Sequence, residues 1–159
     1  MKFLALVGFL VMVACGASST GPLQGTTYCV DSVYYHLEQP NVAYSRDWVE
    51  TIQNTFKLVL EGDTNGDFQT SGAVRGLVEE HTGLYVDTVM VEFLNSDGSG
   101  VWTAYGGRLT FNFNTGSEPF LADSEIYHSV PVNKAFTSVW KYSDVDDNEA
   151  ELKVWWKGC

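Results

Sequence analysis

Hydrophobic and polar positions follow two different periods along this chain. TYCVDSVYYHLE, residues 27–38, is dense in Val and Tyr and reads as a strand that Gln39-Pro40-Asn41 ends. In SRDWVETIQNTFKLVLEG, 45–62, Trp48, Ile52, Phe56, Val59 and Leu60 fall on one face at helical spacing, which predicts a long amphipathic helix. Ser45 can cap its start, Asp47 suits the first turn, and Gly62 suits a left-handed stop. SGAVRGLVEEHTG, 71–83, predicts a shorter helix with Val74, Leu77 and Val78 inward. LYVDTVMVEFL, 84–94, predicts a strand, and VWTAYGGRLTFNFN, 101–114, predicts another. In the latter Val101, Tyr105, Leu109, Phe111 and Phe113 alternate with Thr110, Asn112 and Asn114, and Gly106-Gly107 marks a bulge or bend. FLNSDGSGVW, between the two, reads as a hairpin turn. Residues 115–132 carry no clear period. NKAFTSVWKY, 133–142, has Phe136, Val139 and Trp140 at helical spacing, and ELKVWWK, 151–157, alternates as a final strand.

This order predicts an α+β fold: the ferredoxin-like split βαβ sandwich with an antiparallel sheet. The rival is a helix packed on a curved antiparallel sheet, as in cystatin-like or nuclear-transport-factor-like folds. The opening MKFLALVGFLVMVACGASS has one Lys and a short apolar run, which predicts a secretory signal peptide over 1–17 and an extracellular mature chain. Met12-Val13-Ala14-Cys15 also resembles a bacterial lipobox, so a lipid on Cys15 is the alternative to free secretion. No other run is long and apolar enough to span a bilayer. After a flexible leader, 18–26, a single domain is expected over 27–159. Cleavage removes Cys15 and leaves Cys29 and Cys159, which pair in an oxidising compartment. The ferredoxin-like plan agrees, because it sets the last strand antiparallel beside the first.

Composition narrows the function classes. Apolar residues make up 45% and charged residues 18%, as in a globular domain. The net charge of −11 argues against nucleic acid and anionic membranes as partners. Asp63, Asn65 and Asp67 have the 1-3-5 spacing of a calcium loop, but Phe68 and Val74 stand where that loop needs Gly and an acid. They read as a polar loop, with weak calcium binding as the alternative and no other cofactor expected. DVDDNEAE, 144–151, is acidic and equally incomplete. His36, His81 and His128 share no metal-ligand spacing and read as structural. Tyr34, Tyr35, Trp102 and Trp155 are candidates for a binding surface. Trp102 falls with Thr110 and Asn112 on the polar face, and Trp155 lies between Lys153 and Lys157.

Gly98-Ser99, between two predicted strands of an extracellular chain with this element order, resembles the cleavage site of SEA domains. That resemblance covers residues 27–157 in pattern. It implies a ferredoxin-like extracellular module, and for Gly98 and Ser99 a self-cleaving bond in which the Ser hydroxyl attacks the preceding carbonyl. Gly100-Val101-Trp102 replaces the β-branched run that strains such turns, so the pair reads as an uncut turn. No other catalytic motif is present. The expected function is a non-enzymatic binding or matrix-type module that presents a sheet surface to an extracellular protein or glycan. The alternative is a small-ligand binder or small enzyme with a pocket between the long helix and a curved sheet.

Overall fold

A computed structural model describes residues 26–95, 97–128 and 135–159 of the chain. The expected signal peptide, Cys15 and the leader up to residue 25 lie outside the described residues, as do residues 129–134.

The fold is nearly all β, which overturns the α+β expectation in both its ferredoxin-like and its helix-on-sheet forms. The strands are β1 (Thr26–Gln39), β2 (Tyr44–Asn54), β3 (Lys57–Leu60), β4 (Asn65–Ser71), β5 (Ala73–Thr82), β6 (Tyr85–Asn95), β7 (Gly98–Tyr105), β8 (Arg108–Thr115), β9 (Glu125–His128), β10 (Ala135–Ser143) and β11 (Glu149–Gly158). One short helix, α1 (Pro119–Ala122), precedes β9, and a 3-10 turn, Pro40–Val42, joins β1 to β2. Every pairing is antiparallel.

Eight strands close a barrel in the order β1-β3-β4-β7-β8-β9-β10-β11, with β11 returning to β1. The end carrying Thr26 and Gly158 is here the lower end. At the upper end β2, β5 and β6 continue the sheet from β1, in the order β1-β2-β5-β6. The chain therefore bends three times between the two levels: from β2 into β3, from β4 into β5, and from β6 into β7. The first two bends are bonded to each other, Thr55 N–H to Ala73 O at 2.9 Å and Ala73 N–H to Thr55 Oγ1 at 3.2 Å. Gly72 sits there at φ +88°, and a Cβ on it would lie 2.4 Å from Thr55 O, so only glycine fits.

The first and last strands do lie antiparallel, and Cys29 and Cys159 are bonded, with Cα atoms 5.5 Å apart. The three predicted helices are strands. Over 45–62 the inward positions are Arg46, Trp48, Thr51, Asn54, Phe56, Leu58 and Leu60. Bulges at Val49 and Ile52 stretch two intervals from two residues to three; Ile52, which the helical face uses, lies at a bulge and is half exposed, and Val59 stands between the inward Leu58 and Leu60. Over 71–83 the inward positions are Val74, Gly76, Val78 and Glu80, and Gly76 leaves a gap in the apolar pattern. Over 133–142 they are Phe136, Ser138 and Trp140. Ser138 is only 1% exposed and accepts the indole N–H of Trp156 at 3.0 Å, so a polar residue hides the alternation.

Two more corrections follow from turns. Gly106-Gly107 is a two-residue hairpin, so 101–114 is two strands, not one. Across it Trp102 faces Phe111, and the expected polar-face Trp102 is fully buried. Its indole N–H donates to Glu61 O at 2.8 Å. The span 95–100 is no hairpin: β6 leads into β7, and the two do not pair.

The lower half is filled. Tyr28, Phe56, Leu58, Leu60, Phe68, Trp102, Phe111, Ile126, Phe136 and Trp156 are buried there, with edge-to-face contacts between Tyr28 and Phe136, Phe56 and Trp156, and Phe68 and Phe111, and stacking of Phe136 on Trp156. An eight-stranded barrel is just wide enough for side chains to fill it or for one small ligand to enter. Here the two halves differ.

Candidate functional site

The upper half is an open trough. Its wall runs β6-β5-β2-β1-β11-β10. Among the described residues, no strand pairs with the outer edge of β6 or with residues 140–143 of β10 on the side away from β11. Among the described residues the wall is thus open between β6 and β10. Pairing identifies the inward side chains. Leu37 faces Arg46, Arg46 faces Glu80, Trp48 faces Val78, and Tyr35 faces Leu152, which faces Trp140.

Aromatic rings line this trough while remaining half-buried. Tyr35 and Trp48 each pack on Phe93, with ring centroids 4.8 and 4.9 Å apart. Trp48 also lies over Gly76, where a Cβ would come within 2.1 Å of the indole. Glycine there makes room for the ring. Phe120, on α1 at the base of the opening, meets Trp140 edge to face at 5.0 Å, and Trp140 stacks on Tyr142. Val89 and Val91 of β6 are half-buried on the opposite lip.

One polar group stands inside this apolar lining. Arg46 pairs with Glu80, and Tyr44 Oη donates to Glu80 Oε1 at 3.1 Å. The Arg46 Nε is buried without a hydrogen-bond partner. Burial works against the guanidinium charge, and Tyr44 and Glu80 outweigh it. The Tyr35 hydroxyl is raised mainly by burial, with Arg46 opposing. Such a cluster supplies donors and acceptors at one point of an otherwise apolar wall, as orientation of an amphipathic small molecule requires.

Glu118 secures the base of the opening. It is 3% exposed, and its carbonyl accepts the N–H groups of Leu121 and Ala122, which start α1. Burial pushes its carboxyl up to about 7, against the backbone N–H groups of Asn95 and Phe120, which favour the charged form. A carboxyl raised from 4.5 to about 7 holds its proton more tightly folded than unfolded. Its contribution is therefore complete below pH 4.5 and fades as pH rises through 7. Stability from this group falls by about 3 kcal/mol across that window. Glu118→Gln removes this slope, which urea midpoints of both proteins between pH 4.5 and 8 measure. Parallel profiles would contradict it.

The proposed binding aromatics separate into two sets. Tyr35 and Trp102 point inward, Tyr35 into the trough and Trp102 into the filled core. Tyr34 and Trp155 are exposed on the outer face of neighbouring strands, with Lys153 Nζ 5.2 Å from the Tyr34 ring centroid. Trp155 borders a shallow recess of about 360 Å³, with Asp31 and Tyr127. Gly98 and Ser99 lie within β7, paired with Thr70 and Gln69 of β4. Ser99 Oγ is 2.7 Å from Thr115 Oγ1. Asp63 lies in the β3–β4 turn, and Asn65 and Asp67 are exposed on β4. No three His, Cys, Asp or Glu side chains gather at metal-binding distance among the described residues. In the 144–148 turn, Asp144 accepts hydrogen bonds from Asp146 N–H, Asn148 N–H and side chain, and Tyr142 Oη. These bonds, that from Asn148 foremost, hold its carboxyl below the usual range. His36 Nδ1 is 2.7 Å from Asp47 Oδ1 on the outer face, and His81 lies on that face beside Glu79.

The sequence reading missed Arg46, Trp48, Glu80 and Trp140 as one group. Counting by twos puts Tyr44, Arg46 and Trp48 on one face of β2, and Gly76, Val78 and Glu80 on one face of β5, but the pairing that joins them to each other and to Trp140 comes from the fold.

Comparison with protein-family models, curated proteins and solved structures finds no match to this chain. Among the described residues no helix is long and apolar enough to cross a membrane.

Proposed function

We propose that this chain is an extracellular binding protein that takes one small apolar or amphipathic molecule into the open upper half of its barrel. The single observation that carries this is the unpaired wall between β6 and β10, lined by half-buried Tyr35, Trp48, Phe120 and Trp140. A barrel that fills its lower half with side chains and leaves aromatics half-buried above has apolar surface to offer a ligand. The Arg46–Glu80–Tyr44 cluster orients a polar head group. No catalytic step is assigned to it.

Titration with the neutral fluorescent probe N-phenyl-1-naphthylamine tests the reading. Saturable one-to-one binding is expected, with tryptophan emission quenched as the probe enters. Trp140→Ala weakens it at least tenfold, about the loss of one aromatic contact wall. Absence of saturable binding, or unchanged affinity in Trp140→Ala, sinks the reading.

A second reading uses the outer face, where Tyr34, Lys153 and Trp155 would meet a protein or glycan. It rests on the recess beside Trp155. Trp155→Ala removes that contact and leaves probe uptake intact, so the two readings separate.

A further inference from the structure

Three turns end the upper half, and each carries an aliphatic side chain at its tip. Val42, in the 3-10 turn, is 64% exposed. Leu84, in the β5–β6 turn, is 99% exposed, and Val145, in the β10–β11 turn, is 98% exposed. The turns are tied into one rim. Gly83 N–H donates to Ala43 O at 3.0 Å, and Asn41 Nδ2 donates to Asp146 O at 2.9 Å. Next to Leu84, Tyr85 and Val86 are exposed as well. Large aliphatic side chains at the apex of a turn gain nothing for the fold, since they touch little. Three such tips lie on one tied rim, with Tyr85 and Val86 exposed beside them.

The geometry points to a neutral, zwitterionic lipid surface as the partner of this rim, with the three aliphatic tips dipping into the bilayer interface. Two observations choose it. The tips are separate, with Asn41, Thr82, Gly83, Asp144 and Asp146 between them, so they form no continuous patch for a fixed protein surface to match. A fluid interface adapts to separate tips and takes Tyr85 at head-group depth. The charge pattern selects the lipid. Glu38, Asp87, Asp146, Asp147 and Glu149 are exposed at this end, while its cations Arg46 and Lys141 are engaged by Glu80 and Glu151. That rim repels anionic lipids and suits the outward ammonium of choline head groups.

The proposal goes beyond the ligand reading and does not rest on it. Co-sedimentation with phosphatidylcholine vesicles is the test, using the full mature chain and the triple variant Val42→Ser, Leu84→Ser, Val145→Ser. The wild-type chain is expected to sediment with these vesicles, and more weakly when phosphatidylserine is added. The triple variant is expected to lose roughly a hundredfold in partitioning, as withdrawal of three aliphatic side chains from an apolar medium implies. Its near-native circular dichroism and melting show that the fold is intact. Failure of the wild type to sediment at millimolar lipid overturns the proposal, as does undiminished binding by the variant. A concentration-dependent dimer by size exclusion that the variant abolishes, without vesicle binding, overturns it in favour of a second copy on the rim. Naphthylamine titration of the same variant separates the two ideas: intact probe uptake with lost sedimentation leaves the ligand reading standing.

Discussion

Replacing Cys29 and Cys159 by serine, or reducing their bond, lowers the stability of the fold by about 5 kcal/mol. The bond spans 130 residues of sequence, so its loss frees nearly the whole domain in the unfolded state. In the chain-entropy picture the cost grows with the logarithm of that loop. The native side is affected less. Cys29 pairs with Lys157 on β11, and Cys159 N–H donates to Thr27 O at 2.9 Å, so the β1–β11 seam keeps its hydrogen bonds without the sulfurs. Urea unfolding with and without reductant reads the difference. The reduced chain should unfold at much lower urea. A change under 1 kcal/mol would show that the unfolded chain is compact without the bond.

Trp102→Ala is expected to cost about 3–5 kcal/mol, the range for removing a large aromatic from a packed core. Trp102 is fully buried opposite Phe111, and its indole closes the lower end by bonding to Glu61 O in the β3–β4 turn. The substitution opens a cavity and leaves that carbonyl without its donor. Trp102→Phe separates the two effects. It keeps most of the apolar contact and loses the N–H, so it should cost about 1–2 kcal/mol. Denaturant midpoints of the three proteins test this. Equal stability of Trp102→Ala and wild type would mean that the lower half is not a filled core.

Strands dense in apolar residues between turn signals were legible. The spans 27–38, 84–94 and 151–157 match β1, β6 and β11 nearly end to end; β11 alternates strictly by twos, while β1 and β6 each carry one bulge, at Asp31 and Phe93. The disulfide was legible from the cysteine count and the expected signal peptide. The helices failed where the backbone departs from regular pairing. A single inserted residue at Val49 and another at Ile52 breaks the count by twos, the inward Thr51 and Asn54 are polar, and the exposed Ile52 stands four residues from both Trp48 and Phe56, which completes a helical stripe. Gly76 and Ser138 failed differently. Each occupies an inward position for a packing reason, room for Trp48 in one case and a partner for Trp156 in the other, and hydropathy sees neither. The polar-face reading of Trp102 went wrong through parity. A two-residue turn pairs Tyr105 with Arg108, so even positions before it share a face with odd positions after it. Trp102 crossed from the wet face to the core on that count alone. Arg46 and Glu80 could not be found as site residues by apolar pattern, since a charged pair on an inward face is the exception to the rule that makes strands readable.

The five tryptophans of the chain occupy distinct places, which makes them reporters of where a ligand goes. Trp48 and Trp140 line the trough, Trp102 and Trp156 fill the lower core, and Trp155 faces outward. Indole N–H resonances in a two-dimensional NMR titration with N-phenyl-1-naphthylamine therefore test the central claim most directly. Binding in the open upper half shifts the Trp48 and Trp140 signals together and leaves Trp102, Trp155 and Trp156 in place. A shift confined to Trp155, or no shift in any of the five, would contradict it.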